Sequence, residues 1–240
     1  MATRDLVWDG CVNVRDLGGL PTEDGRTTSF GSIVRADSIR RLSDEGWDAL
    51  RAYGVERIVD LRWHDELAMD PPGEVDVEVL HIPVFPDIGD PAWREAEAEG
   101  DRGREYAWLL EHGADRFASA IKAIADADGG AVVVHCAAGK DRTGLVAALM
   151  LRLVGVPHEE IVEDYVTSGR NLGPLIGPWI EQAVDEEERK HRIYLSVTPP
   201  EAIDHAVREV ERRHGSVESY LRAGGASDDT LARIRRRLLD

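Results

Sequence analysis

The chain has 240 residues, with 29 Lys plus Arg against 46 Asp plus Glu, a formal charge of −17 and 42% apolar residues. That acidity argues against broad binding to nucleic acid or an anionic membrane, which both need extended basic surface, while the apolar share supplies a core and argues against disorder. Two cysteines, Cys11 and Cys136, cannot build a disulfide framework, and neither a spanning apolar stretch nor a cleavable leader is evident; a cytoplasmic protein with no integral membrane association is expected, with export lacking a cleavable signal left open.

No repeat or long linker divides the sequence, so one domain is expected over 1–240, with a helical tail over 199–240. Residues 11–35 carry short apolar stretches around Asp24-Gly25, a hairpin-turn signal. Ser43 caps a helix that places Trp47, Leu50 and Tyr53 at helical spacing and stops at Gly54. Residues 55–61 and 75–83 are β-prone, and a Pro- and Asp-rich loop follows over 83–91. The charged stretch 93–104 reads as part of a mobile helical flap spanning 87–115.

The spacing of Phe117, Ile121 and Ile124 predicts a helix over 106–127, ended by Gly129-Gly130. The apolar run Ala131–His135 suits a strand buried on both faces of a sheet, and 145–153 reads as an apolar helix. Further helices are predicted over 158–168, 175–190, Pro200–His214, 217–221 and 231–238. Strands alternating with helices, then a helical tail, indicate an α/β fold with a central sheet flanked by helices.

Between that strand and helix, residues 135–144 read His-Cys-Ala-Ala-Gly-Lys-Asp-Arg-Thr-Gly. A cysteine at a strand end, six positions before an arginine that opens a helix, sits where backbone N–H groups converge into an anion cradle. The cradle, with Arg142 and Lys140, favours a thiolate on Cys136 and binds a phosphoryl group over it. Arg142 offers a planar fork to two phosphoryl oxygens. Ala137, Ala138 and Gly139 keep the loop small where backbone meets phosphate, and Thr143 can donate its hydroxyl to the Cys136 sulfur. His135 is expected to orient the loop. A nucleotide-binding loop fails on spacing, because position 134 is Val rather than Gly and Lys140 precedes Asp141. No metal-ligand spacing occurs among the eight histidines.

The 135–144 stretch resembles the signature of cysteine-dependent protein tyrosine phosphatases, and its Gly-Lys-Asp-Arg-Thr-Gly form resembles their bacterial branch. Residues 13–19, 59–62, 85–88, 162–165 and 214–221 match that branch as well, so the likeness runs over most of the chain. It implies the phosphatase fold, a phosphocysteine intermediate on Cys136 and no metal or organic cofactor. It also points to Asp87 as the general acid, on a loop that can swing over the site. Asp90 and Asp141 stay in competition, Asp141 being expected to face outward and organise the loop with Lys140.

The implied substrate is a phosphotyrosine protein or small phosphoester, with dual specificity open. A phosphoinositide is the alternative, since related loops with Lys at this place act on such lipids and Lys140 can contact a second negative group. A non-catalytic phosphate-binding module is the remaining reading. Asn13, Arg15 and Asp16, or Asp60 and Arg62, are candidates to brace the loop from behind. Cys11 is expected to be a plain core cysteine.

Overall fold

A computed structural model of the chain describes residues 3–71, 75–86 and 90–240. The strands are β1 (Arg15–Asp16), β2 (Ile33–Ala36), β3 (Val55–Asp60), β4 (Glu78–His81) and β5 (Ala131–His135). They form one sheet in the order β1-β2-β5-β3-β4, with β2, β5, β3 and β4 parallel and β1 antiparallel at the edge. Helices α1 (Asp44–Ala52) and α2 (His64–Met69) flank β3; α3 (Pro91–Ala98), α4 (Arg102–His112) and α5 (Ala114–Ala125) lie between β4 and β5. After β5 come α6 (Asp141–Leu153), α7 (His158–Glu181), α8 (Glu186–Ser196), α9 (Pro200–His214), α10 (Val217–Ala223) and α11 (Asp228–Leu239).

Alternation along β5 divides the core. Val132 and Val134 pack with Ile33, Val59 and the helices α4 to α7 and α9 to α11, whereas Val133 packs with Val34, Ile58 and Leu50 of α1. Burial on both faces explains why β5 reads as a continuous apolar run. The register aligns Ala36, Asp60 and His135 at the carboxyl end of the parallel strands, the edge at which open α/β sheets present their ligands.

The α/β expectation holds, and several boundaries differ from those predicted. The hairpin at Asp24-Gly25 is present, with Pro21 bridged to Thr27 and Gly25 at φ +84°, and Ser43 caps α1 through the Gly46 amide at 3.1 Å. The six-residue α2 was not foreseen. The helix expected over 106–127 is broken at Gly113, where a Cβ would meet Leu109 O at 2.8 Å. Tyr106, Leu109 and Leu110 of α4 are buried in the core, so the latter half of the segment expected as a flap is core structure. The tail helices are equally integral, since Ile203, Val207, Tyr220 and Leu231 belong to the same cluster. The two helices expected over 158–168 and 175–190 are rearranged: α7 runs unbroken through Pro174 and Pro178, and α8 starts only at Glu186. Among the described residues no helix is long and apolar enough to cross a membrane.

Candidate active site

Cys136 directly follows β5, and the loop runs from it into α6. Gly139 takes φ +64°, and a Cβ there would lie 2.3 Å from the Ala36 carbonyl oxygen, so the loop can rest on the end of β2 only without a side chain. Ser38 N donates to Ala137 O at 3.1 Å. No side chain caps the amino end of α6, which leaves its first-turn amides and the positive end of the helix dipole to the loop.

The loop is also held from behind by residues far away in sequence. Asn13 Nδ2 donates to Ala138 O at 2.9 Å and Gly139 O at 3.2 Å. Arg35 Nη2 donates to Gly139 O at 2.7 Å. Arg15 donates to Asn13 Oδ1 at 2.7 Å and to Ser168 Oγ at 2.9 Å. Asp164 of α7 anchors the set, pairing with Arg15 at 2.9 Å and also with Arg35 and Arg4. Burial alone would raise the Asp164 carboxyl, but the guanidiniums of Arg15, Arg35 and Arg4 hold it far below the usual carboxylate range. Of the two bracing sets expected, Asn13 reaches the loop directly, and Arg15 acts on it only through Asn13. Asp16 instead takes the hydroxyl of Tyr53 and the Gly31 amide. Asp60 pairs with Arg62 at 2.8 Å and lies 3.7 Å from His135 Nε2, while His135 Nδ1 is 3.2 Å from Cys136 O.

Cys136, Ala137, Ala138, Lys140, Asp141 and Arg142 line a cavity of about 770 Å³. The Arg142 guanidinium lies over the Trp63 ring at 4.3 Å and forms a two-pronged ion pair with Glu66 of α2, with one contact at 3.0 Å. Burial would push the Glu66 carboxyl up, yet Arg142 beside it keeps it below its ordinary value. The fork that faces the cavity is therefore pre-oriented by a carboxylate and an aromatic face. Neither Trp63 nor Glu66 was singled out from the sequence.

Asp141 is half-buried and stands on the cavity wall rather than turned away from it. Its carboxylate accepts from the hydroxyl of Tyr106, is 3.1 Å from Lys140 Nζ and faces the cavity. Burial would raise it, but Lys140, Arg102 and the Tyr106 hydroxyl hold it below the ordinary carboxylate value. Lys140 Nζ also donates to Leu195 O at 2.7 Å and Val197 O at 2.9 Å, tying the loop to the end of α8. Thr143 is wholly buried, and its hydroxyl has no partner among the described residues, so the expected bond to the Cys136 sulfur is not formed in the free protein. A buried hydroxyl left without a partner costs about 1–3 kcal/mol.

Asp87 lies outside the described residues. Asp90 caps α3, accepting from Ala92 N at 2.9 Å and Trp93 N at 3.3 Å, a structural use of its carboxylate. Cys11 is unpaired, its thiol donating to Ser38 O at 3.4 Å; burial pushes that thiol well above its ordinary value, which keeps it protonated.

A parallel sheet that delivers a cysteine to a helix amino end, with an arginine fork on the first turn, defines an α/β phosphatase. Comparison with known proteins makes the assignment specific: the chain belongs to the tyrosine phosphatase family, whose model matches residues 6–240. It is 29% identical to the triple specificity protein phosphatase PtpB of Mycobacterium tuberculosis over 282 aligned residues, covering the whole of both chains. It is 30% identical to a tyrosine-protein phosphatase of Nostoc commune over 225 residues, 86% of this chain and 74% of that protein. Among solved structures, P. aeruginosa TpbA aligns at a TM-score of 0.38 and 20% identity over 80% of this chain and 86% of its own, too loosely to carry an argument.

Proposed function

We propose that the protein hydrolyses phosphotyrosine and related aryl phosphomonoesters in two steps through Cys136. The thiolate attacks phosphorus as the P–O bond to the leaving group breaks, and an acid gives that oxygen its proton. Water then attacks the phosphocysteine, its proton passing to the same carboxylate as the S–P bond breaks, which releases phosphate and free thiolate. Arg142 and the loop amides of residues 137–143 hold the phosphoryl oxygens in both steps, and Thr143 can turn its free hydroxyl to the departing sulfur.

The observation that carries this reading is Cys136 and a pre-oriented Arg142 on one cavity over an uncapped helix end. The names of PtpB and the Nostoc protein agree with it, and the first extends it toward dual specificity.

Asp87 is the proposed acid. Asp141 is a second reading supported by its place on the cavity wall. A phosphate dianion drawn in beside that half-buried carboxylate makes it costly for both to stay fully ionised, which favours a proton shared between them. The proposed place of action is the cytoplasm.

The test is steady-state hydrolysis of p-nitrophenyl phosphate, with vanadate and a chelator as controls. Turnover blocked by vanadate, indifferent to chelator and abolished in Cys136→Ser is expected. Appreciable turnover by Cys136→Ser would overturn the covalent route.

A further inference from the structure

The cavity holds more than the proposed reaction needs. A phosphotyrosine side chain has roughly twelve non-hydrogen atoms, which at the about 30 Å³ a water molecule occupies in the liquid amounts to no more than about 360 Å³. That is under half of the 770 Å³ available. The remainder is bounded by Leu172, Leu175, Ile176 and Trp179 of α7, at i, i+3, i+4 and i+7, and by Leu195 of α8. These positions form one apolar stripe of the helix. Leu175 and Trp179 are still 38% and 39% exposed, so no other part of the protein covers them fully.

The charges around this space do not suit a second phosphate. Arg102 is bound to both oxygens of Glu105 at 2.9 Å. Arg41 pairs with Asp37 at 3.3 Å, and Lys140 is committed to two carbonyls and Asp141. Glu66 and Glu105 are the carboxylates that already hold Arg142 and Arg102, and Arg94, Glu97 and His191 complete the charged lining.

From this stripe, continuous with the cysteine site, we propose a subsite for an apolar side chain beside the phosphotyrosine of a peptide substrate. The enzyme then selects phosphotyrosine in apolar sequence contexts over acidic or polyphosphorylated ones. This rests on the phosphatase reading above and adds what occupies the far side of the cavity. Seating an apolar side chain of a few methylenes against such a wall is worth about tenfold or more in kcat/KM.

The experiment compares kcat/KM for two phosphotyrosine peptides that differ only next to the phosphotyrosine, Leu in one and Ser in the other. It does so on the wild type and on Trp179→Ala and Leu175→Ser. The ratio of the two values on one protein does not depend on how much of it is folded. A wild-type ratio of about ten or more, falling at least threefold in either variant, is expected. A ratio near one, or one unmoved by both variants, overturns the subsite, as does faster release of phosphate from phosphatidylcholine vesicles carrying a bisphosphorylated phosphoinositide than from the Leu peptide. If p-nitrophenyl phosphate is turned over while the peptides are not distinguished, only the subsite falls; if nothing is turned over, the phosphatase reading falls with it.

Discussion

Replacing Asp164 by Asn keeps the shape of the side chain and removes one charge from beneath the loop. Asp164 is 2% exposed, and Arg15 and Arg35, which it neutralises, are equally enclosed. The variant leaves two buried guanidiniums without a counter-ion, and breaking a buried pair in this way costs about 3–5 kcal/mol. The amide oxygen can still accept one bond, which places the loss near the lower end, about 3 kcal/mol. Against a total of about 5–15 kcal/mol the protein stays folded. With a urea dependence of about 3 kcal/mol per molar, the midpoint falls by about 1 M.

The six tryptophans supply the fluorescence signal for that titration. Because Arg35 also holds Gly139 O, KM for an aryl phosphate should rise in the same variant. Asp24→Asn in the exposed hairpin, where Arg26 is the partner, is the control and should hardly move the midpoint, since exposed pairs contribute little. A midpoint for Asp164→Asn within about 0.3 M of wild type, or equal shifts in both variants, would refute the argument from burial. The wild type should keep this contribution down to about pH 4, because a depressed carboxyl loses it only as pH falls from the unfolded value toward the folded one.

Asp87→Asn and Asp141→Asn separate the two acid assignments: the true acid's variant should lose about 10² to 10⁴ in kcat for a poor leaving group and lose one limb of the pH profile, while the other keeps both limbs. Glu66→Gln should lower kcat/KM for p-nitrophenyl phosphate by about tenfold, the equivalent of one charge-assisted hydrogen bond of roughly 1.5 kcal/mol; an unchanged value would mean that Trp63 and the loop orient Arg142 unaided. His135 is held below its ordinary value, with burial the leading cause and only partial compensation from Asp60. The unfolded chain therefore takes up a proton near pH 6.5 that the folded chain does not, so stability should fall as pH drops from about 7 to 5.5. His135→Asn should flatten that slope in urea titrations at each pH.

The loop and its context were legible because they rest on local order: an apolar run, small residues, then Arg142 at a helix start. Glu66 and Trp63 were not, because a helix of six residues with none of them buried leaves no periodic trace. The continuity of α7 was hidden because the expected helices left 169–174 between them, a stretch that holds Gly169, Gly173 and Pro174, whereas α7 runs on through Pro174 and Pro178. Both face solvent, where water can satisfy the carbonyls their missing N–H groups leave free. Asp164 did leave a signal, since it lies with Ile161, Tyr165 and Ser168 at i, i+3, i+4 and i+7 on the buried side of α7. A carboxylate on that stripe requires buried cations opposite it, and Arg15 and Arg35 within short buried strands are their counterparts. Which arginines those are depends on topology, which composition does not encode.

The tethers behind the loop span 125 positions from Asn13 to Ala138 and 149 from Arg15 to Asp164. A nascent chain that has already made residues 135–144 still lacks Asp164 and Ser168, so the anion cradle cannot be completed until α7 has left the ribosome. Contacts of such long range form slowly, and they make catalytic competence a late event in the life of the chain. Removal of the first sixteen residues should therefore silence the cysteine while leaving residues 135–144 themselves unchanged.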